Sequence, residues 1–277
     1  MDNRALPMLL LSYFRQISIL FHPINPRLLL SYAVSIDPRR YMENNMLQLR
    51  PLESLAASDM IWLKARHHFA LEGYDNEAHE ALGNLIVLND DEIAPGTGFP
   101  MHGHRDMEIV TYVREGLLEH TDNAGGRGQI EAGNVQAFSA GTGIRHSETN
   151  PGKSPLKLFQ IWLHPRRRGI APHWSSKPFP KAERANRWVA LASGMPGDDE
   201  AIAIDADARV LGATLTRGQS LGYVIGASRY GYLVVARGAV SVNGIRLDAR
   251  DGIAAREVSK IVVAAIDDAE VVLIDAA

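Results

Sequence analysis

From Leu82 to the C-terminus the sequence is cut into short apolar runs by glycine and asparagine, and nothing there repeats with the period of a long amphipathic helix. Such a chain can only bury its apolar residues as many short strands. Candidate strands cover Asn84–Leu88, Met107–Val113, Gly128–Glu131, Val135–Ser139 and Leu156–Leu163, with a hairpin turn at Asn123-Ala124-Gly125-Gly126. A second set covers Arg209–Thr216, Gly231–Val235, Ala239–Val242, Ile261–Ala265 and Val271–Ile274, with Asn243-Gly244 as a two-residue turn signal. Strands at this spacing predict a sandwich or barrel in each half.

The halves also resemble each other. Val113-Arg114-Glu115-Gly116 leads into a hairpin and then Glu131-Ala132-Gly133-Asn134, while Val235-Ala236-Arg237-Gly238 leads into a hairpin and then Ala249-Arg250-Asp251-Gly252. This reads as an internal duplication. Pro165, Pro172, Pro178 and Pro180, with the run Arg166-Arg167-Arg168, mark a connecting segment. The expected division is therefore a first barrel over residues 46–170 and a second over 171–277.

Residues 1–45 read differently: they are rich in Leu and Arg, and their apolar runs are interrupted by Arg15, His22 and Arg27. None approaches the roughly 18 apolar residues that span a bilayer. They are expected to be an extension, disordered or translated upstream of the domain, because Met46 opens the first segment that reads like a domain edge.

Twenty-nine basic against 32 acidic residues give a formal charge of −3, so neither nucleic acid nor an anionic membrane is an expected partner. Cysteine is absent, which fits a cytoplasmic protein and restricts any metal site to nitrogen and oxygen ligands. All the histidines lie between positions 22 and 173, so metal chemistry belongs to the first half.

Within that half, His102-Gly103-His104 precedes a strand, and alternation along a strand turns both imidazoles to one side. The same parity carries on to Asp106 and Glu108 if the strand is unbroken. A second pair, His146-Ser147-Glu148, follows a glycine turn and again sets an imidazole and a carboxylate two residues apart. Three imidazoles and a carboxylate suit Fe(II), Mn(II), Ni(II), Cu(II), Co(II) or Zn(II). His67, His68 and His79 are read as structural or exposed side chains, and the three arginines as a solvated loop. Gln160 is a candidate hydrogen-bond donor near the site.

The run Gly96 to Glu108, with His102, His104 and Glu108, followed by Gly133, His146 and Asn150, resembles the two short motifs of the cupin superfamily. More narrowly, Phe99-Pro100-Met101-His102-Gly103-His104-Arg105-Asp106-Met107-Glu108 and Ser139-Ala140-Gly141-Thr142-Gly143-Ile144-Arg145-His146-Ser147-Glu148 resemble the signature segments of pirins. Trp62, Arg66-His67-His68-Phe69 and Leu158-Phe159-Gln160-Ile161-Trp162 extend the likeness to bacterial quercetinase-like pirins. Glu108 and Gly116 stand one residue further apart than in a general cupin, and Ser139 replaces a frequent Pro; the longer spacing is shared by pirins.

The resemblance implies an all-β bicupin of two stacked double-stranded β-helix barrels, with one divalent metal, iron(II) first, in the leading barrel. It implies His102, His104, His146 and Glu148 as ligands, whereas a general cupin would take Glu108 for the carboxylate. The implied activity is oxygenative cleavage of a flavonol such as quercetin by dioxygen, with Glu148 accepting the substrate's hydroxyl proton. The alternative it implies is a metal-binding regulator that docks on a protein partner without turnover.

Overall fold

The computed structural model describes residues 46–70 and 76–277; the extension expected over residues 1–45 lies outside the described residues. Two barrels are present, each made of a seven-stranded and a four-stranded sheet. In the leading barrel the large sheet runs, in spatial order, His173–Lys177, Val135–Ser139, Glu108–Glu115, Leu156–Leu163, Leu85–Ile93, Leu63–His67 and Ala56–Asp59. Its small sheet runs Gly98–His104, Ile144–Thr149, Leu117–Asp122 and Arg127–Glu131. The second barrel repeats this plan. Its large sheet is Leu47–Arg50, Gly252–Ala255, Tyr230–Arg237, Ala269–Ala276, Ala208–Leu215, Val189–Ser193 and Ile202–Ala203. Its small sheet is Ser220–Val224, Lys260–Ala265, Val240–Val242 and Ile245–Leu247. The all-β bicupin architecture expected from the sequence is therefore present.

The duplication extends to single hydrogen bonds. Gly133 N donates to Val113 O at 2.7 Å, and Arg250 N donates to Val235 O at 2.7 Å; Val113 N and Val235 N donate in turn to Asn134 O and Asp251 O. Both turn residues have positive φ, 91° for Gly133 and 75° for Arg250. Asn243 and Gly244, at φ 47° and 88°, make the tight left-handed turn that their types favour.

Two strands cross the division expected at residue 170. His173–Lys177 pairs with Val135–Ser139 of the leading barrel, and Leu47–Arg50 pairs with Gly252–Ala255 of the second. Each barrel thus completes its large sheet with a strand from beyond the other barrel's sequence or from the connecting segment.

Three kinds of interior result from the packing. Outward residues of the two large sheets, including Val110, Tyr112, Phe159, Tyr232, Val234 and Val272, form one core between the barrels. The second barrel's interior is a single apolar cluster around Leu211, Leu233, Ile253, Val263 and Leu273. Burying each such side chain contributes about 1.5–3 kcal/mol, and among the described residues no histidine lies in that barrel; its inward Asp275 is taken by Tyr223 and Arg229. The leading barrel instead has two apolar clusters, one around Leu63, Phe99 and Leu158 and one around Ile109, Phe138 and Trp162. A polar layer separates them. Among the described residues, no helix is long and apolar enough to cross a membrane.

Candidate metal centre

That polar layer follows directly from strand register. His67, Asn89, Gln160, Thr111 and Gln136 stand opposite one another across five neighbouring strands of the large sheet, so their side chains share its inner face. On the facing small sheet, Gly98–His104 and Ile144–Thr149 run antiparallel with His102 directly opposite His146 and His104 opposite Ile144. His102, His104 and His146 consequently point to one side. The register then shifts, so that Glu148 lies opposite Phe99. The extra residue falls around Pro100, a residue that sheets tolerate at bulges, and it lets Phe99 and His102 both face inward. Only glycine fits at position 98, because a Cβ there would lie 2.2 Å from Glu148 O.

The three imidazoles converge. Ring centroids are separated by 4.8 Å for His102–His104, 4.3 Å for His102–His146 and 5.0 Å for His104–His146. One ligand nitrogen from each lies within 4.8 Å of the other two. Nitrogens about 2.1 Å from a common ion are at most about 4.2 Å apart, so small side-chain shifts bring all three into one coordination sphere. His102 Nδ1 donates to Pro100 O at 2.8 Å, which places the lone pair on Nε2. His104 Nδ1 and both ring nitrogens of His146 are buried without a hydrogen-bond partner. A buried ring with two unsatisfied nitrogens is costly in an ordinary core and is accounted for by an ion. The donor set therefore fits a divalent transition metal.

Electrostatics agrees with that fit. Burial lowers the pKa of His102, brings His104 down to about 3, and holds His146 well below the ordinary histidine range, with neighbouring imidazoles adding to the effect at His104 and His146. All three are neutral at pH 7, the form that ligates.

Glu148 is fully buried beside His146, with a carboxylate oxygen in a second group formed with His120 and His146. Its Oε2 accepts from Gln160 Nε2 at 2.7 Å, and its Oε1 accepts from Gln136 Nε2 and from Thr111 Oγ1 at 3.5 Å. Both glutamines are oriented by indoles: Trp162 Nε1 donates to Gln160 Oε1 at 3.0 Å, and Trp174 Nε1 donates to Gln136 Oε1 at 2.9 Å. Burial pushes the Glu148 carboxyl up to about 7, with the amide and hydroxyl donors pulling the other way.

The comparisons with known proteins bear on this geometry. Residues 49–163 match the Pirin family model, and residues 190–276 match the model of the quercetinase C-terminal cupin domain. A pirin-like protein of Caulobacter vibrioides is 51% identical over 232 residues, which cover 84% of this chain and all of that protein. The chain belongs to the pirin family. Another relative, the quercetin 2,3-dioxygenase of Escherichia coli K12, is 35% identical over 83% of this chain and 98% of its own length. Among solved pirins, the nickel(II) complex of YhhW from Escherichia coli superposes with a TM-score of 0.77 at 34% identity, covering 83% of this chain and 99% of that one.

Within this pirin Glu108 is placed apart from the cluster. The chain turns at Asp106, whose φ is 48°, and the strand that ends at His104 restarts only at Glu108, so parity does not carry across. Glu108 Oε2 instead accepts from Ser139 Oγ at 2.6 Å and from Asp205 N at 3.0 Å, and Asp106 Oδ1 accepts from Gly169 N. His67 bridges Ser58 and Asn89, and His68 bonds Tyr232 of the second barrel. Arg166, Arg167 and Arg168 are exposed, as a solvated loop would be, and Arg167 pairs there with Asp205 at 2.8 Å.

Sequence reasoning missed His120, Gln136 and Trp174. His120 stands opposite Glu148, bonds Asp122 at 3.1 Å and stacks on Trp174 at 5.0 Å. Its signal was the alternation Leu118-x-His120-x-Asp122, an inward imidazole and carboxylate on a strand.

Proposed function

We propose that this pirin is a metal-dependent dioxygenase acting on a flavonol such as quercetin, with His102, His104, His146 and Glu148 holding the ion. The observation that carries the reading is the convergence of three neutral imidazoles, two buried and one half-buried, beside a carboxyl whose pKa is raised to about 7. Similar proteins support the same reading: the name quercetin 2,3-dioxygenase is carried by a relative, and a solved pirin is a nickel(II) complex. A divalent ion in this site supplies Lewis acidity toward a phenolic oxygen and redox contact with dioxygen, and iron(II) is the first ion to test.

The chain's own residues do the rest. His102 is the most exposed of the three imidazoles and Met101 beside it is exposed, so substrate enters along the strand Gly98–His104, at the edge of its sheet. Phe138 and Trp162 line the inner side and exclude water from the reacting oxygen. Glu148 Oε2 accepts one hydrogen bond against two at Oε1, so it keeps the more available lone pair for the substrate's hydroxyl proton. A buried carboxylate, which burial biases toward the protonated form, is suited to take that proton and return it.

Protein loaded separately with Fe(II), Cu(II), Ni(II), Mn(II), Co(II) and Zn(II) is expected to bleach quercetin with matching oxygen uptake for at least one ion. Absence of turnover with every ion would overturn the enzymatic reading in favour of a metal-dependent regulator that binds a protein partner.

A further inference from the structure

The outer face of the leading barrel's large sheet carries an arrangement unrelated to the imidazole cluster. Arg114 and Thr111 lie on the same strand, but Thr111 faces Glu148 inside the barrel while Arg114 lies over the Phe159 ring on the side packed toward the second barrel. There a groove of about 410 Å3 opens between the barrels, lined by Arg114, Lys157 and Lys181 from one side and Arg237 and Arg250 from the other. It adjoins a second depression of about 320 Å3 that shares Lys181 and Arg237.

Carboxylates in and under this groove do not balance its cations. Asp90, fully buried, is shared by Arg114 and Arg250. Glu270 is shared by Lys181 at 2.7 Å and Arg184 at 3.3 Å. Glu115 is used by Lys157 at 2.8 Å, and Glu92 reaches Lys64 at 3.4 Å. Each shared carboxylate leaves one positive charge over, and Arg237, exposed and without an ion pair among the described residues, adds a third. Unsatisfied donors accompany that excess: Arg114 Nε is buried without a hydrogen-bond partner, as are Nε and Nη1 of Arg184 behind Lys181. The cations also disfavour one another, since burial and the proximity of Arg184, Arg237 and Arg114 lower the Lys181 pKa.

We propose that this inter-barrel groove is a binding site for a small polyanion bearing carboxylate or phosphate groups. Its size suits a molecule of a few such groups. Guanidinium forks from both barrels recognise planar or tetrahedral oxyanions through charge-assisted pairs. Binding relieves the repulsion among Lys181, Arg184 and Arg237 and fastens the two barrels to one ligand.

Calorimetric titration of the metal-loaded protein with succinate and with inorganic pyrophosphate tests this, with acetate as a monoanion control and metal content followed by elemental analysis. The site predicts saturable binding of at least one polyanion that weakens with added salt and is tighter than acetate. Arg237→Ala, at an exposed position with no ion pair to lose, is expected to weaken it roughly tenfold, about 1.4 kcal/mol, with metal content unchanged. Tighter pyrophosphate than succinate identifies a phosphate ligand, and the reverse a carboxylate. No binding of either polyanion at millimolar concentration overturns the proposal. So does binding that survives both Arg237→Ala and Arg250→Ala undiminished, because the anion then sits elsewhere.

Discussion

Gln160 gives its amide Nε2 to Glu148 Oε2 at 2.7 Å while the indole of Trp162 occupies its own Oε1. An indole nitrogen only donates, so Trp162 fixes which end of the amide faces the carboxylate. The same relation joins Trp174, Gln136 and Glu148 from the other side. Two tryptophans thereby hold two amides as donors and keep Glu148 an acceptor at the bottom of the site.

Replacing Gln160 by Leu removes a donor from a buried carboxylate and the amide oxygen that accepts from the Trp162 indole. The expected cost is about 1–3 kcal/mol of stability and roughly 10–100-fold in metal affinity or turnover. Denaturation curves and metal titration of Gln160→Leu check both, and a variant with native affinity and rate would show that the amide merely fills space.

His104→Ala takes away one of three converging imidazoles, and purified protein is expected to lose its metal on dialysis, read by elemental analysis. Glu148→Gln should retain part of the metal through the imidazoles yet lose most turnover. Full activity in Glu148→Gln would remove the carboxylate from the proton-transfer role.

The strands that hold the site were the hardest to see in the sequence. Val135–Ser139 and Leu156–Leu163 are legible with their bounds because apolar residues occupy both faces, interrupted only by Gln136, Ser139, Lys157 and Gln160. Gly98–His104 and Ile144–Thr149 carry Gly, Pro, His, Arg, Ser and Glu instead. Their inward positions are occupied by the functional groups, so the alternation that announces a strand is missing where the chemistry lies. The pairing of His102 with His104 was readable from spacing alone. Extending that parity to Glu108 failed because the left-handed turn at Asp106 resets the strand; Asp tolerates that conformation without requiring it, so the residue type alone did not fix the turn.

Gly98→Ala probes the bulge that aims His102. The added Cβ would meet the Glu148 carbonyl oxygen at 2.2 Å and the Thr149 Cα at 2.6 Å, both backbone atoms that cannot swing aside. Overpacking of this kind costs about 1–3 kcal/mol, and displacement of the strand is expected to lower metal affinity as well. Thermal unfolding and metal titration of the variant measure the two effects; unchanged values in both would mean that the two strands can separate freely.

Part of the acid sensitivity should arise outside the imidazole cluster, at His68. It is fully buried, bonds Tyr232 at 2.7 Å, and is held well below the ordinary histidine range by burial and by Arg50, His79, Arg114 and Arg250. The folded state then binds fewer protons than the unfolded chain once the pH falls below about 6.5, so stability drops as the pH is lowered through that value. The limiting slope is about 1.4 kcal/mol per pH unit for one such histidine. Denaturant titrations at several pH values between neutral and mildly acid should show a shallower decline for His68→Gln, which keeps a hydrogen-bonding side chain but cannot titrate. Identical slopes for the two proteins would place the acid sensitivity elsewhere.

Arg50 joins the ends of the architecture. It closes the strand Leu47–Arg50 on the second barrel, yet its buried guanidinium donates to the His68 carbonyl and to Ala78 O at 3.0 Å and Glu80 O at 3.3 Å in the leading half. The same group lies 4.6 Å from the Phe69 ring centroid and 5.2 Å from that of Tyr232. Hydrogen bonds from a charged donor contribute about 1.5–3 kcal/mol each, and their loss is not additive, so Arg50→Ala is expected to cost about 3 kcal/mol or more. Arg50→Lys keeps the charge but cannot span three carbonyls, and should recover less than half of that loss. Equilibrium unfolding of both variants provides the measurement. If Arg50→Ala unfolds at the native denaturant midpoint, the two barrels are held by their apolar interface alone and the arginine is only a passenger in it.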